Sequence, residues 1–165
     1  MKDLIVFYSL EGNTGYVAEK LRDRLDADVL VLVPKRAYSD KGFTKFLWGG
    51  KSAIMGEKPE LEDYEADLSK YGRIIFGFPV WASNFTPPLR TFIEDNREGL
   101  AGKRFAAFAC QAGSGAEKAL IKLEKYLQET AFEQTAVFID PKAKQSAEKD
   151  RQIDEFADAL MQNRE

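Results

Sequence analysis

Unbroken stretches of apolar residues occur at positions 4–8, 29–33, 74–78 and 105–109, with a shorter one at 136–139. A strand with one wet face alternates apolar and polar residues. Runs without alternation predict strands covered on both faces, as in a parallel sheet. Between the runs the period changes. Val17, Leu21 and Leu25 line one face of a first helix. Leu89, Phe92 and Ile93 do so in another, which opens on Pro87-Pro88, residues suited to a helix start. Leu120, Leu123 and Leu127 mark a further helix, and Ile153, Phe156, Ala157, Leu160 and Met161 follow the helical repeat in the last. Strands alternating with helices predict an α/β fold: a parallel sheet with right-handed crossovers and helices on both faces. Five strands are too few for an eightfold barrel. A doubly wound, five-stranded parallel sheet remains, with any ligand beyond the carboxyl ends of its strands.

The link from Pro34 to Tyr71 is long for one crossover. Phe43, Phe46, Leu47 and Ile54 stand at helical spacing there, interrupted by Gly49-Gly50. A second helical piece is expected at 63–70, carrying Tyr64 and Leu68. The whole reads as a broken helical excursion near the sheet edge. With no internal repeat, low-complexity tract or linker, the 165 residues are expected to form one domain, 1–165.

Composition narrows the chemistry. At 44% hydrophobic and 31% charged residues the chain reads as an ordinary soluble globular protein. Its first apolar run is too short for a signal peptide core, and no run approaches the length of a membrane span. The expected compartment is the cytoplasm. The single cysteine, Cys110, excludes an internal disulfide and any CxxC redox or zinc pair. There is no histidine, which removes Ser-His and Cys-His hydrolases and histidine-ligated metal sites. Catalysis would therefore rest on a cofactor; no residue is assigned a catalytic or metal-ligand role. A net charge of -3 gives no support to nucleic-acid binding. Bases gather at Lys35, Arg36, Lys41, Lys45 and Lys51, and acids at Glu57, Glu60, Glu62, Asp63, Glu65 and Asp67. Both groups read first as solvated surface.

Function must then lie in the loops after strands one, three and four. The first, Ser9-Leu10-Glu11-Gly12-Asn13-Thr14, offers a glycine, hydroxyls and a helix N-terminus, a natural anion cradle. The same residues equally fit plain capping by Asn13 or Thr14 with Gly12 making the turn. Neither G-x-x-x-x-G-K-[ST] nor G-x-G-x-x-G follows the first strand, which argues against nucleotide hydrolysis and ordinary dinucleotide binding. A receiver domain would need acids where Tyr8-Ser9 and Phe78-Pro79 stand. In the third-strand loop, Trp81 lies where a buried strand meets solvent, and such a ring covers a planar ligand or plugs the sheet end. The fourth-strand loop, Cys110-Gln111-Ala112-Gly113-Ser114-Gly115, carries two glycines that let backbone approach a ligand. Cys110 itself reads as a small core residue.

Taken together, the three loops resemble the flavodoxin family. Phe7-Tyr8-Ser9-Leu10-Glu11-Gly12-Asn13-Thr14 is similar to its phosphate loop, Gly77-Phe78-Pro79-Val80-Trp81 to its flavin-ring loop, and Cys110 to Gly115 fall at its second ring loop. The resemblance covers nearly the whole chain, and the lack of a long insertion in the fifth strand points to the short-chain members. It implies sheet order 2-1-3-4-5 and flavin mononucleotide (FMN) as cofactor. Ser9, Glu11, Gly12, Asn13 and Thr14 would then hold the phosphate, with Glu11 contributing backbone and its carboxylate pointing to solvent. Pro79, Val80, Trp81, Ala82, Ser83 and Asn84 would border the isoalloxazine ring, and Gln111, Gly113 and Gly115 its pyrimidine edge. The chain departs from the family pattern at Glu11, commonly a hydroxyl residue, and in lacking a Trp-Gly-Asp sequence and a tyrosine in the fourth-strand loop.

Three functions fit these residues. The first is an electron-transfer protein using FMN, serving a redox partner protein. The second is an FMN-dependent NAD(P)H:quinone or acceptor oxidoreductase, supported by the open fourth-strand loop and the bases between Lys35 and Lys51. The third is a non-redox binding module on the same fold. The sequence leaves the oligomeric state open.

Overall fold

The computed structural model describes residues 1–38 and 50–164. Five strands, β1 (Lys2–Phe7), β2 (Asp28–Val31), β3 (Tyr71–Pro79), β4 (Arg104–Gln111) and β5 (Thr135–Ile139), form one parallel sheet of order β2-β1-β3-β4-β5. This is the doubly wound arrangement expected from the sequence. Around it lie α1 (Asn13–Leu25), α2 (Gly50–Ile54), α3 (Pro87–Asp95), α4 (Arg97–Leu100), α5 (Ala116–Leu127) and α6 (Ala147–Gln162).

Adjacent residues of a strand point to opposite faces, so an unbroken apolar run feeds two cores at once. Ile5, Ile75, Ala106 and Phe108 pack against Val17 and Leu21 of α1 and Ile153 and Phe156 of α6. Their neighbours Leu4, Val6, Ile74, Phe76 and Phe105 pack on the other face against Leu89 and Phe92 of α3 and Leu120 and Leu123 of α5. The central strands β1, β3 and β4 are thus buried on both sides. The edges are not, and here the expectation of two-sided cover needs correcting. Val29, Val31 and Val33 are 36%, 48% and 49% exposed while Leu32 between them is buried. Ile139 of β5 is also half exposed. The reason is that the helices lie over the middle of the sheet, leaving one face of each edge strand wet.

The excursion after β2 bears out the helical reading at Ile54, which closes α2, and differs from it at 63–70. There, among the described residues, Leu68–Lys70 alone makes a helical turn, a single 3₁₀ turn in which Asp67 accepts a hydrogen bond from the Ser69 N–H at 3.2 Å. Before it, the chain runs antiparallel to the segment following β2: Lys35 N–H donates to Glu60 O (2.9 Å) and Glu62 N–H to Val33 O (2.7 Å). Tyr64, Ala66 and Leu68 face the core two residues apart, a strand period that the 64/68 pair hides by fitting a helix as well. The helical reading of Phe43, Phe46 and Leu47 lies outside the described residues.

At the amino ends of the strands sits an ion network. Arg73, wholly buried, donates to Asp3 Oδ2 (2.7 Å), Glu133 Oε2 (3.3 Å) and the Leu160 carbonyl (2.8 Å). Arg164, beyond α6, donates to the same Asp3 oxygen at 2.7 Å. The last helix is thereby fixed to β1 and β3. No helix among the described residues is long and apolar enough to cross a membrane.

Candidate functional site

The β1–α1 loop turns on Gly12, whose φ of 95° places it in the left-handed region that suits glycine. It is the N-cap residue of α1 and brings no side-chain cap of its own. Neither Asn13 nor Thr14 caps the helix. Ser9 Oγ instead accepts from the Gly15 N–H at 3.1 Å. Asn13 Oδ1 faces away from its own helix and accepts from the N–H groups of Lys142 (2.9 Å) and Ala143 (3.2 Å). The N–H groups of Asn13 and Thr14 have no partner among the described residues. Such a helix end favours an anion. Thr14 Oγ1 is buried without a well-formed hydrogen bond, the Cys110 thiol being its polar neighbour.

After β3, Val80 N–H donates to Cys110 O (2.9 Å), and Trp81 and Asn84 then exchange both backbone hydrogen bonds (3.1 and 2.9 Å). Ala82 and Ser83 between them have φ of 49° and 58°. Two positive φ values inside a closed four-residue turn make it type I′, a conformation that neither alanine nor serine favours. The Asn84 amide braces it by donating to Ala82 O at 2.7 Å. Trp81, only 8% exposed, meets the rings of Tyr8 and Tyr38 edge-on at centroid distances of 5.6 and 5.0 Å. The ring is thus held in place by packing and also lines the cleft described below.

In the loop after β4, Gln111 Oε1 accepts from the Ala116 N–H (3.0 Å) and closes the first turn of α5. Gly115, at φ 102°, lies against the β3 loop; a Cβ there would stand 2.5 Å from Ser83 Oγ. Its role is loop-to-loop packing. Gly113 has open space where a Cβ would project. Burial pushes the Cys110 thiol up to about 12, so it is no thiolate nucleophile near neutral pH.

The three loops enclose a cleft of about 380 Å³, within the size range of small-molecule sites. Of the residues singled out from sequence, Ser9, Glu11, Asn13 and Thr14 line one end. Pro79, Val80, Trp81, Ala82 and Ser83 line a wall, and Gln111 and Gly113 the facing side. Gly12, Asn84 and Gly115 stand behind the lining and set the shape of its loops. Glu11 is exposed at the rim.

The structure adds Leu10, Ala112, Ser114 and Asp140. Asp140 follows β5 with φ 43°, donates its N–H to Gln111 O (3.0 Å), and pairs with Lys144 Nζ at 3.0 Å. The sequence signal for it was the Asp140-Pro141 turn dipeptide after the fifth apolar run. A second cavity, about 560 Å³, has Lys35, Arg36, Tyr38, Lys51, Ser52 and Glu57 on its described wall. Tyr38 stands between this cavity and Trp81.

Residues 2–150 match the family model described as flavodoxin. Among solved structures, a flavoprotein of Lactobacillus acidophilus NCFM in complex with FMN is 21% identical, with TM-score 0.73 over 94% of this chain and 98% of that one. A Bacteroides eggerthii protein classed as a flavoprotein is 19% identical, with TM-score 0.76 over 97% and 98% of the two chains. Oxidised flavodoxin 2 of Bacillus cereus is 21% identical, with TM-score 0.59 over 98% and 99%. The search of curated proteins gives no match. At these identities the structures speak for the fold, and the family model, matching most of the length, for descent: the chain belongs to the flavodoxin family.

Proposed function

We propose that the cleft binds FMN and that the protein carries electrons through it to a redox partner protein. The observation that carries this reading is the orphaned end of the cleft: a buried Thr14 hydroxyl and two unpaired N–H groups at the start of α1. A buried hydroxyl without a partner costs about 1–3 kcal/mol, and a phosphate oxygen would supply the missing acceptor. Ser9 Oγ, already accepting from Gly15, keeps its own proton to donate to the same anion. The Trp81 wall and the open face at Gly113 leave room for a flat ring system between them. When bound, FMN supplies one- and two-electron redox chemistry. The chain's share is to seat the phosphate, orient the ring, and keep water off the face that Trp81 covers. With no histidine in the chain and Cys110 protonated and buried, proton and electron chemistry falls to the cofactor.

A second reading, an FMN-dependent NAD(P)H:quinone or acceptor reductase, is favoured by one observation. The cavity lined by Arg36, Lys51 and a Lys35 paired with Glu60 at 2.6 Å adjoins the ring wall through Tyr38, where a phosphorylated cosubstrate would meet the Arg36 guanidinium. Anaerobic titration of the FMN-loaded protein with NADH and NADPH separates the two. A carrier keeps its oxidised visible spectrum at stoichiometric NAD(P)H and bleaches with dithionite. Bleaching within seconds by either nucleotide would overturn the carrier reading in favour of the reductase.

A further inference from the structure

We propose that Lys142 is the charge partner of the phosphate at the β1–α1 loop and that Asn13 positions it there. The inference rests on the FMN reading and adds a residue from a part of the chain with no place in it. The donors at this loop are neutral: two backbone N–H groups and the hydroxyls of Ser9 and Thr14. The charged side chain on the loop is Glu11, an anion. Among the described residues, a phosphate dianion bound to those donors alone would lack a counter-charge.

Lys142 meets that need from across the fold. Its Nζ lies 3.0 Å from where a Cβ of Gly12 would stand, so the ammonium is beside the turn that leads into α1, just behind the residues that line the cleft. It makes no ion pair among the described residues, whereas its neighbour Lys144 is joined to Asp140 at 3.0 Å. The backbone beneath it is fixed: Asn13 Oδ1 accepts from Lys142 N–H at 2.9 Å and from Ala143 N–H at 3.2 Å, and Pro141 precedes it. Asn13 is thus a positioning residue, tying the segment after β5 to the loop after β1. A lysine suits the task, being a compact point charge on a flexible stem that reaches an anion without a fixed fork geometry. The absence of a side-chain atom on Gly12 gives the ammonium its room.

The test is the affinity of apoprotein for FMN and for riboflavin at low and high salt, in wild type, Lys142→Met and Lys142→Arg. Lys142→Met is expected to weaken FMN about tenfold at low ionic strength, with the gap closing as salt screens the pair. Riboflavin affinity is expected to stay put, and Lys142→Arg to lie within about threefold of wild type, as one long-stemmed cation replaces another. Asn13→Ala should lower FMN affinity less in the Lys142→Met background than in wild type, the mark of coupled residues. Unchanged FMN affinity in Lys142→Met, an equal loss for riboflavin, or full additivity of the two substitutions would overturn the proposal while leaving the FMN reading intact. Wild-type protein binding FMN no better than riboflavin would overturn both.

Discussion

The two ends of the sheet are built on opposite plans. At the amino ends, Asp3, Arg73, Glu133 and Arg164 bind one another across β1, β3 and the segments that flank β5 and α6, leaving only Asp3 Oδ1 and Arg73 Nε over. At the carboxyl ends, the N–H groups of Asn13 and Thr14 that start α1 have no partner among the described residues, Thr14 Oγ1 and Thr86 Oγ1 are buried without partners, and Ala82, Ser83 and Asp140 hold positive φ. One end satisfies its charges from within the chain. The other leaves helix N–H groups and a buried hydroxyl unmet around a cleft, which is how a site for a ligand differs from a joint. The central strands connect the two rigidly, so changes at one end are expected to leave the other's property alone.

The largest effect should come from the joint. Arg73→Met removes the partner of a buried carboxylate, and breaking such a pair costs about 3–5 kcal/mol. Urea unfolding should show that loss, with FMN affinity of the folded fraction unchanged. Asp3→Asn added to it should recover part of the stability. A matching fall in FMN affinity would mean the ends are coupled.

At the other end stability and binding should move in opposite directions. Thr14→Val keeps the shape and removes an orphaned hydroxyl, so apoprotein stability should hold or rise. FMN should bind roughly ten to a hundred times more weakly, since hydrogen bonds to charged groups are worth about 1.5–3 kcal/mol. Equal losses in folding and in FMN binding would mean that the hydroxyl serves the fold.

Cys110 gives a pH-dependent difference. Its thiol titrates at about 12 in the folded chain against an ordinary value of 9.0. Below pH 9 both states are protonated and it contributes no slope. Above that the unfolded state loses the proton first, so stability falls as pH rises toward 12. By pH 10 the loss is about 1.4 kcal/mol. Unfolding of wild type and Cys110→Ala at pH 8 and pH 10 should differ by that amount in their pH dependence.

The smallest effect concerns strain. Ala82→Gly at φ 49° relieves a left-handed residue at a cost of some chain entropy, for a net gain of about 1 kcal/mol. Thermal unfolding should rise by roughly 2–4 °C. No gain would mean that the turn is relaxed as it stands.

What the sequence discloses follows the same division. Strands β1, β3 and β4 were legible because burial on both faces leaves unbroken apolar runs once past the paired Asp3 and Arg73, and the strand order followed from the family resemblance. The edge strands look alike in sequence because Val29, Val31 and Val33 stay apolar even where exposed. Segment 63–70 was misread because Tyr64 and Leu68 satisfy two periods at once. The cleft was legible in its loops, since glycine, proline and hydroxyl residues cluster where strands end. Its long-range contacts were not. Nothing near Asn13 in sequence shows that its side chain holds Lys142, or that Gly115 is small to admit Ser83. Those depend on how distant segments dock, which local pattern does not encode.

The central claim is that the incomplete end of the sheet is completed by the phosphate of FMN. Calorimetric titration of apoprotein with FMN and with riboflavin tests it most directly. The expected result is one site per chain, with FMN bound at least tenfold more tightly than riboflavin. Equal affinity for the two, or binding of neither, would contradict it.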